Sequence, residues 1–216
     1  MSSVERPTTD PEKGRRLTSS STKASILEAA RSRLLSDGYA GLSTRAVAQA
    51  AGVPLSQLHY HFGSKQQMIL DLLESESERR LARQSAMYAA DQPLWRRYEQ
   101  ACDFLEDDLD SGFVRVLQEM IAAGWSDPVI GERVRDLLQG WLDLLTDVAR
   151  EAESRFGPLG PFSAEEMAAL VGLAFVGGEA LLLLGFDRQR WPVRSALRRF
   201  GTLIRELEDG ALESTR

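Results

Sequence analysis

Apolar residues recur at helical spacing along nearly the whole chain, with no strand-period run of useful length, so the pattern predicts an all-α fold. From Thr22 to Ser36, Ile26, Ala29, Ala30 and Leu34 form one stripe, closed by Gly38. Ser43 is a natural N-cap for a short helix with Val47, Ala48 and Ala51 on one face. Gly52 supplies a left-handed stop, and Pro54 pre-sets the φ of a second short helix that buries Leu58 and Phe62. Ser64 caps a long helix to about Ala90, with Met68, Ile69, Leu72 and Leu73 inside. Pro93, Gly112, Asp127-Pro128, Gly157 to Pro161 and Trp191-Pro192 then mark off helices over about 94–110, 112–123, 129–156, 163–185 and 193–209. Val134, Leu138, Trp141, Leu145 and Val148 line one of these. Val193, Leu197, Phe200, Ile204 and Leu207 line the last.

Two short helices around a glycine turn, the second with its N-terminal side chains free, form a helix-turn-helix pattern suited to a DNA major groove. Thr44, Arg45 and Gln49 stay outside the first, and Leu55, Ser56, Gln57, His59 and Tyr60 outside the second. The expected division is a disordered arm over 1–20, a three-helix DNA-binding head over 21–66, and a helical-bundle ligand-binding and dimerisation domain over 67–212. In the arm, Lys13, Arg15 and Arg16 suit either a DNA backbone or a merely solvated tail.

The order Asp37-Gly38-Tyr39, Leu42-Ser43-Thr44, Val47-Ala48, Ala51-Gly52-Val53, Leu58-His59-Tyr60-His61-Phe62 and Ser64-Lys65 resembles the N-terminal domain of TetR-family transcriptional regulators. The likeness covers about Thr22 to Leu73 and fades beyond it into generic helix. It implies a cytoplasmic homodimer that binds a double-stranded DNA operator, typically as a repressor released by a small effector. It also implies phosphate contacts at the positions of Thr44, His59, Tyr60 and Lys65. His59 departs from the pattern, standing where the family usually has a phosphate-contacting tyrosine. Gln57 suits adenine, with Ser56 and Arg45 the next base-reading candidates. Lys65 lies in a first helical turn, where a cation opposes the helix dipole unless an anion sits beside it.

Charge changes the picture only through its distribution. The 216 residues carry a net −6, which alone argues against nucleic acid. Residues 1–66 hold nine basic against five acidic residues, a balance of +4, and the remaining 17 basic and 27 acidic give −10. A DNA-facing head on an acidic body fits that asymmetry. An apolar content of 43% is ordinary for a globular chain. The single Cys102 excludes an intramolecular disulfide and fits a reducing cytoplasm, and residues 1–20 lack the apolar run of a signal peptide.

Met167 to Phe186 is long enough to span a membrane, with Glu179 its only charge. Glu179 near the midplane, the capping box at Ser163–Glu166 and the amphipathic helix that follows favour burial on two sides in a dimer instead. The TetR likeness agrees, placing a four-helix interface on the last two helices. Candidate interface residues are Gly177, Gly178, Leu181, Leu197, Phe200 and Ile204. Large apolar residues of the body, Phe113, Leu117, Met120, Trp125, Trp141 and Phe175, are core or the lining of a pocket for a lipophilic or aromatic effector. Gln118, Glu119 and Glu179 would be its polar anchors.

His59 and His61 are the only histidines and point to different helix faces, so no metal site, cofactor loop or acid–base pair emerges, and an enzyme is not expected. Two further readings stay open. One is the same architecture as an activator or global regulator without a small ligand. The other is a helical dimeric interaction module whose head no longer binds DNA.

Overall fold

The computed structural model describes residues 11–186 and 190–214, with side chains over 19–186 and 190–210. Its described residues form helices only: α1 Pro11–Gly41, α2 Thr44–Ala50, α3 Leu55–Phe62, α4 Lys65–Tyr88, α5 Leu94–Asp110, α6 Phe113–Gly124, α7 Pro128–Phe156, α8 Ala164–Leu183 and α9 Val193–Ser214. Two compact units divide at Leu72/Leu73, inside α4.

The first unit, the head, packs α1 on α2 and α3 around Ile26, Leu34, Val47, Leu58, Met68 and Ile69, all buried. Its turns follow the chain's punctuation. Gly38 (φ 68°) breaks the run of α1, and Gly52 (φ 67°) reverses the chain between α2 and α3. The Ser43 hydroxyl accepts from Ala46 N at 3.2 Å, and the Ser64 hydroxyl from Gln67 N at 3.0 Å. Each such cap contributes about 0.5–2 kcal/mol by satisfying an orphan N–H. One expectation needs correction. Helix begins at Pro11, so the arm drawn over 1–20 is helical from that residue, and its first ten residues lie outside those described. Proline is at home in a first helical turn, and the helix continues through Gly14 among the good helix formers Glu12, Lys13, Arg15 and Arg16.

The second unit, the body, consists of the rest of α4 with α5–α9. Long helices α7 and α8 pack together closely enough that a Cβ on Gly172 would come within 2.6 Å of Leu142 Cδ2. Tyr98, Trp141 and Phe200 surround the core, with Phe175 edge-on to Tyr98 (6.0 Å) and to Trp141 (6.3 Å). Helix starts here are capped at the Ser163–Glu166 box, as the sequence suggests, and at Asp127, whose carboxylate accepts from Val129 N and Ile130 N. At α5 the cap comes from afar: Glu208 of α9 accepts from Leu94 N (2.9 Å) and Trp95 N (3.0 Å).

A charged cluster ties α4 to α5. Arg80 donates to Asp108 (2.8 Å) and Glu76 (2.6 Å) and lies 3.8 Å over Phe113. Arg83 donates to the other Asp108 oxygen (2.9 Å) and lies 4.0 Å over Phe104. Burial pushes the Asp108 carboxyl above its usual range, against the pull of both arginines.

Three body expectations change. Trp125 is 82% exposed, because the chain turns out of α6 there, so it lines no interior pocket. Gly178 and Leu197 face each other within one chain: a Cβ on Gly178 would meet Val193 at 3.3 Å and Leu197 at 3.4 Å. Leu207 is exposed rather than on the inner stripe of α9, whose inner side uses Gly201 against Tyr98.

Candidate nucleic-acid interface

Helix α3 is two-sided because its eight residues leave room for only one apolar face. Leu58 and Phe62, four apart, are buried, and Ser56, Gln57, His59 and Tyr60 are exposed, Tyr60 by 82%. Leu55 is half-buried beside them. Pro54 precedes α3 without a side-chain cap, and no acidic residue stands in the first turn, so the positive end of the helix is unneutralised. On α2, Thr44 is half-buried and Arg45 exposed. Lys23 pairs with Asp71 (2.8 Å), Arg33 with Asp37 (2.6 Å) and Arg31 with Glu28 (3.8 Å). Arg45 has no ion-pair partner among the described residues.

Two polar contacts were not legible in the sequence. His59 Nδ1 lies 3.0 Å from the Gly63 carbonyl, at the glycine (φ 70°) that ends α3. Lys65 Nζ donates to the Tyr39 carbonyl at 2.6 Å and lies 4.5 Å from the centre of the Tyr39 ring. Burial holds the Lys65 ammonium below the usual lysine range. The cation in the first turn of α4 therefore already has an acceptor within the head, and two of its three N–H donors stay available. His61 is half-buried, edge-on to Tyr60 at 5.3 Å. No group of three or more His, Cys, Asp or Glu residues placed to hold a metal occurs among the described residues.

In the body, Phe113, Leu117, Met120 and Phe175 are buried, and Trp141 is half-buried with its indole N–H on Gln84 Oε1 (2.8 Å). Beside them Gln118 Nε2 bridges Glu179 Oε2 and the Val176 carbonyl, each at 3.1 Å. Burial pushes the Glu179 carboxyl up to about 7, opposed by the Gln118 amide. None of the six pocket candidates lines the groove of about 830 Å³ between α8 and α9. Five of the interface candidates do, Gly177, Gly178, Leu181, Leu197 and Phe200, while Ile204 lies outside it, half-buried. Phe162, Phe186 and Trp191 flank the groove and were missed, since they stand in Gly- and Pro-rich connections where no helical stripe marks them. A helix long and apolar enough to cross a membrane occurs at Ala164–Leu183, though a third of its most apolar window is buried.

Residues 26–72 match the family profile of bacterial regulatory proteins of the tetR family. No curated protein sequence matches the chain. Among solved structures, a TetR-family regulator from Rhodococcus sp. shares 18% identity over 86% of this chain and 98% of its own, with a TM-score of 0.70. One from Haloarcula marismortui shares 18% over 88% and 98%, with a TM-score of 0.71. A transcriptional regulator from Saccharomonospora viridis, in complex with choline, shares 21% over 87% and 96%, also at 0.71. At such identities these structures speak to the fold, and the fold is the same along nearly their whole length. Residues 26–72 thus carry the helix-turn-helix DNA-binding domain of that family, and the described residues as a whole share the all-helical fold of those regulators.

Proposed function

We propose that the protein is a cytoplasmic homodimeric repressor, which grips an operator through its two heads and lets go when a small effector enters the body. The two-sidedness of α3 carries this reading: a core-anchored helix whose outward side chains can hydrogen-bond and which bears no acid. In it, Gln57, Ser56 and Arg45 read base edges, while Thr44, His59, Tyr60 and Lys65 hold phosphates and Leu55 packs against the groove.

A second copy is supported by an apolar face with no partner in one chain. Leu170, Leu173 and Leu181 are exposed around Gly177 on α8, Leu184 just past its end, and Leu203 and Leu207 on α9. Two heads held by such a dimer suit half-sites one DNA turn apart. For the effector we place the site among Phe113, Leu117, Met120, Trp141 and Phe175, with Gln118 and Glu179 as polar anchors. Their mixture of aromatic rings and a few convergent polar groups suits a lipophilic or aromatic molecule. The choline-bound regulator shows that a protein of this fold can hold a small ligand. Tight burial of four of those five residues favours a second reading, the same architecture acting without a small ligand.

Duplex fragments from the region around the protein's own gene test the main reading, with binding followed by anisotropy over a salt series. Repression requires tight, steeply salt-dependent binding of one fragment by a dimer, and its loss on adding an effector found by a thermal-shift screen. Binding that no compound weakens would leave the ligand-free reading, and no binding of any duplex would remove both.

A further inference from the structure

The acceptor chosen by His59 decides what this side chain can offer to DNA. A carbonyl oxygen only accepts, so the 3.0 Å contact between Nδ1 and Gly63 O places the ring proton on Nδ1. Neutral imidazole carries one ring proton, and Nε2 is then left with a lone pair. His59 is exposed on the face of α3 that also bears Ser56, Gln57 and Tyr60. A phosphate oxygen meeting that lone pair would find an acceptor facing an acceptor. A second proton, on Nε2, turns the same atom into a charged donor.

We propose that His59 is a proton-gated phosphate contact: its Gly63 bond makes the neutral ring a poor partner for DNA, and protonation at Nε2 completes the grip. The inference rests on the head binding DNA, as argued above. The surrounding charges leave the gate to His59 itself. The described carboxylates of the head, Glu28, Asp37 and Asp71, are each paired with a cation, on Arg31, Arg33 and Lys23. None forms an ion pair with His59. Of the cations on packed elements, Lys23 of α1 is committed to Asp71, and Lys65 of α4 donates to Tyr39 O. Arg45 of α2 is exposed. On α3 itself the titratable neighbours are Tyr60 and the half-buried His61. The second proton reaches Nε2 only as pH falls, so the contact would tighten as a cell acidifies.

The phosphate contact is independent of sequence, so the probe is a random-sequence duplex of about 30 base pairs, bound by the full-length protein at pH 5.5 and 7.5 over a salt series. At pH 5.5 the wild type should bind about tenfold more tightly at low salt, as expected for gaining a charged hydrogen bond. Its log–log salt slope should steepen by about one unit per His59 engaged. His59→Gln, which keeps an uncharged donor, should lose both changes, and His61→Gln should keep them. Long-range nitrogen–proton NMR reads the tautomer of the free protein without any DNA. A proton on Nε2 in neutral His59, or a pH response that survives His59→Gln, overturns the proposal while leaving the head as a DNA binder. Failure of every variant to bind any duplex at either pH removes the DNA reading and this inference with it.

Discussion

Helices α3 and α8 solve opposite problems. Helix α3 spends eight residues on one narrow apolar face and leaves the rest polar, so its outer surface is free to recognise something wet and charged. Helix α8 spends twenty residues on apolar character nearly all round, anchoring one side on its own chain at Gly172, Phe175 and Leu182 and leaving Leu173, Gly177 and Leu181 unpartnered. A short helix has a function legible from side-chain chemistry. A long apolar one has a function legible only from what covers it. The head is therefore the part whose role follows from named atoms, and the body the part whose role depends on a partner.

The sharpest way to break that contrast is to empty the head's core. Leu58→Ala removes a side chain with no exposed surface, a change that costs about 2–5 kcal/mol. Duplex binding should vanish while the molar mass by light scattering stays that of the wild-type assembly. If the assembly falls apart as well, head and body are not separable in function.

Within the body, Glu179 is the single charge that α8 carries through its apolar run, and burial has raised it from 4.5 to about 7. The folded protein then binds a proton more firmly than the unfolded chain between those two values. Stability on this account is full below about pH 4.5 and falls as pH rises through 7. Glu179→Gln should flatten that fall and raise stability at pH 8 by about 1–3 kcal/mol, read from urea unfolding at several pH values. A variant whose pH profile parallels the wild type would mean that Glu179 is solvated in solution. The two glycines just before Glu179 separate packing within the chain from packing against a copy. A Cβ on Gly177 meets nothing within 4 Å, whereas one on Gly178 meets Val193 and Leu197. Gly177→Leu should thus weaken dimerisation by about 1–3 kcal/mol with little change in monomer folding. Gly178→Leu should destabilise the chain itself. Equal effects in sedimentation and in melting would place the second copy elsewhere.

How much of this could be read from the sequence follows the range of each signal. Local chemistry was legible: the segment marked off by Pro93 and Gly112 is α5, Leu94–Asp110, and Ser43, Ser64 and Ser163 cap the helices they precede. Contacts between distant residues were not. Glu208 caps α5 from 113 residues away, and Lys65 finds its carbonyl 26 residues back, at Tyr39. Periodicity also says which residues are apolar without saying which face is covered. Hence Trp125, read as core or pocket lining, is exposed, and Leu203 and Leu207 give α9 a second apolar side. In the site, the outward residues of α3 followed from Leu58 and Phe62, but the atom that His59 leaves free depended on the Gly63 carbonyl.

On the head's surface, Gln57 tests base reading. Gln57→Ala should cost about 1–3 kcal/mol on the cognate operator and relax preference at one base position. An equal loss on random duplex would reassign Gln57 to the backbone grip.

Lys65 carries the smallest expected effect and the finest distinction. In the free protein one N–H is held by Tyr39 O, with the ammonium against the Tyr39 ring, so Lys65 has a role in holding the head together whether or not DNA is present. Lys65→Met keeps most of the aliphatic stem and removes the charge. Loss of the carbonyl bond and the ring contact should lower head stability by about 0.5–1.5 kcal/mol, read from thermal melting without DNA. If the remaining donors also meet a phosphate, the salt slope of duplex binding should flatten by about one unit for each head engaged. The two readouts are independent, since a weakened but folded head keeps the slope set by its remaining phosphate contacts. A destabilised variant with an unchanged slope would confine Lys65 to the Tyr39 carbonyl and take it out of the DNA interface.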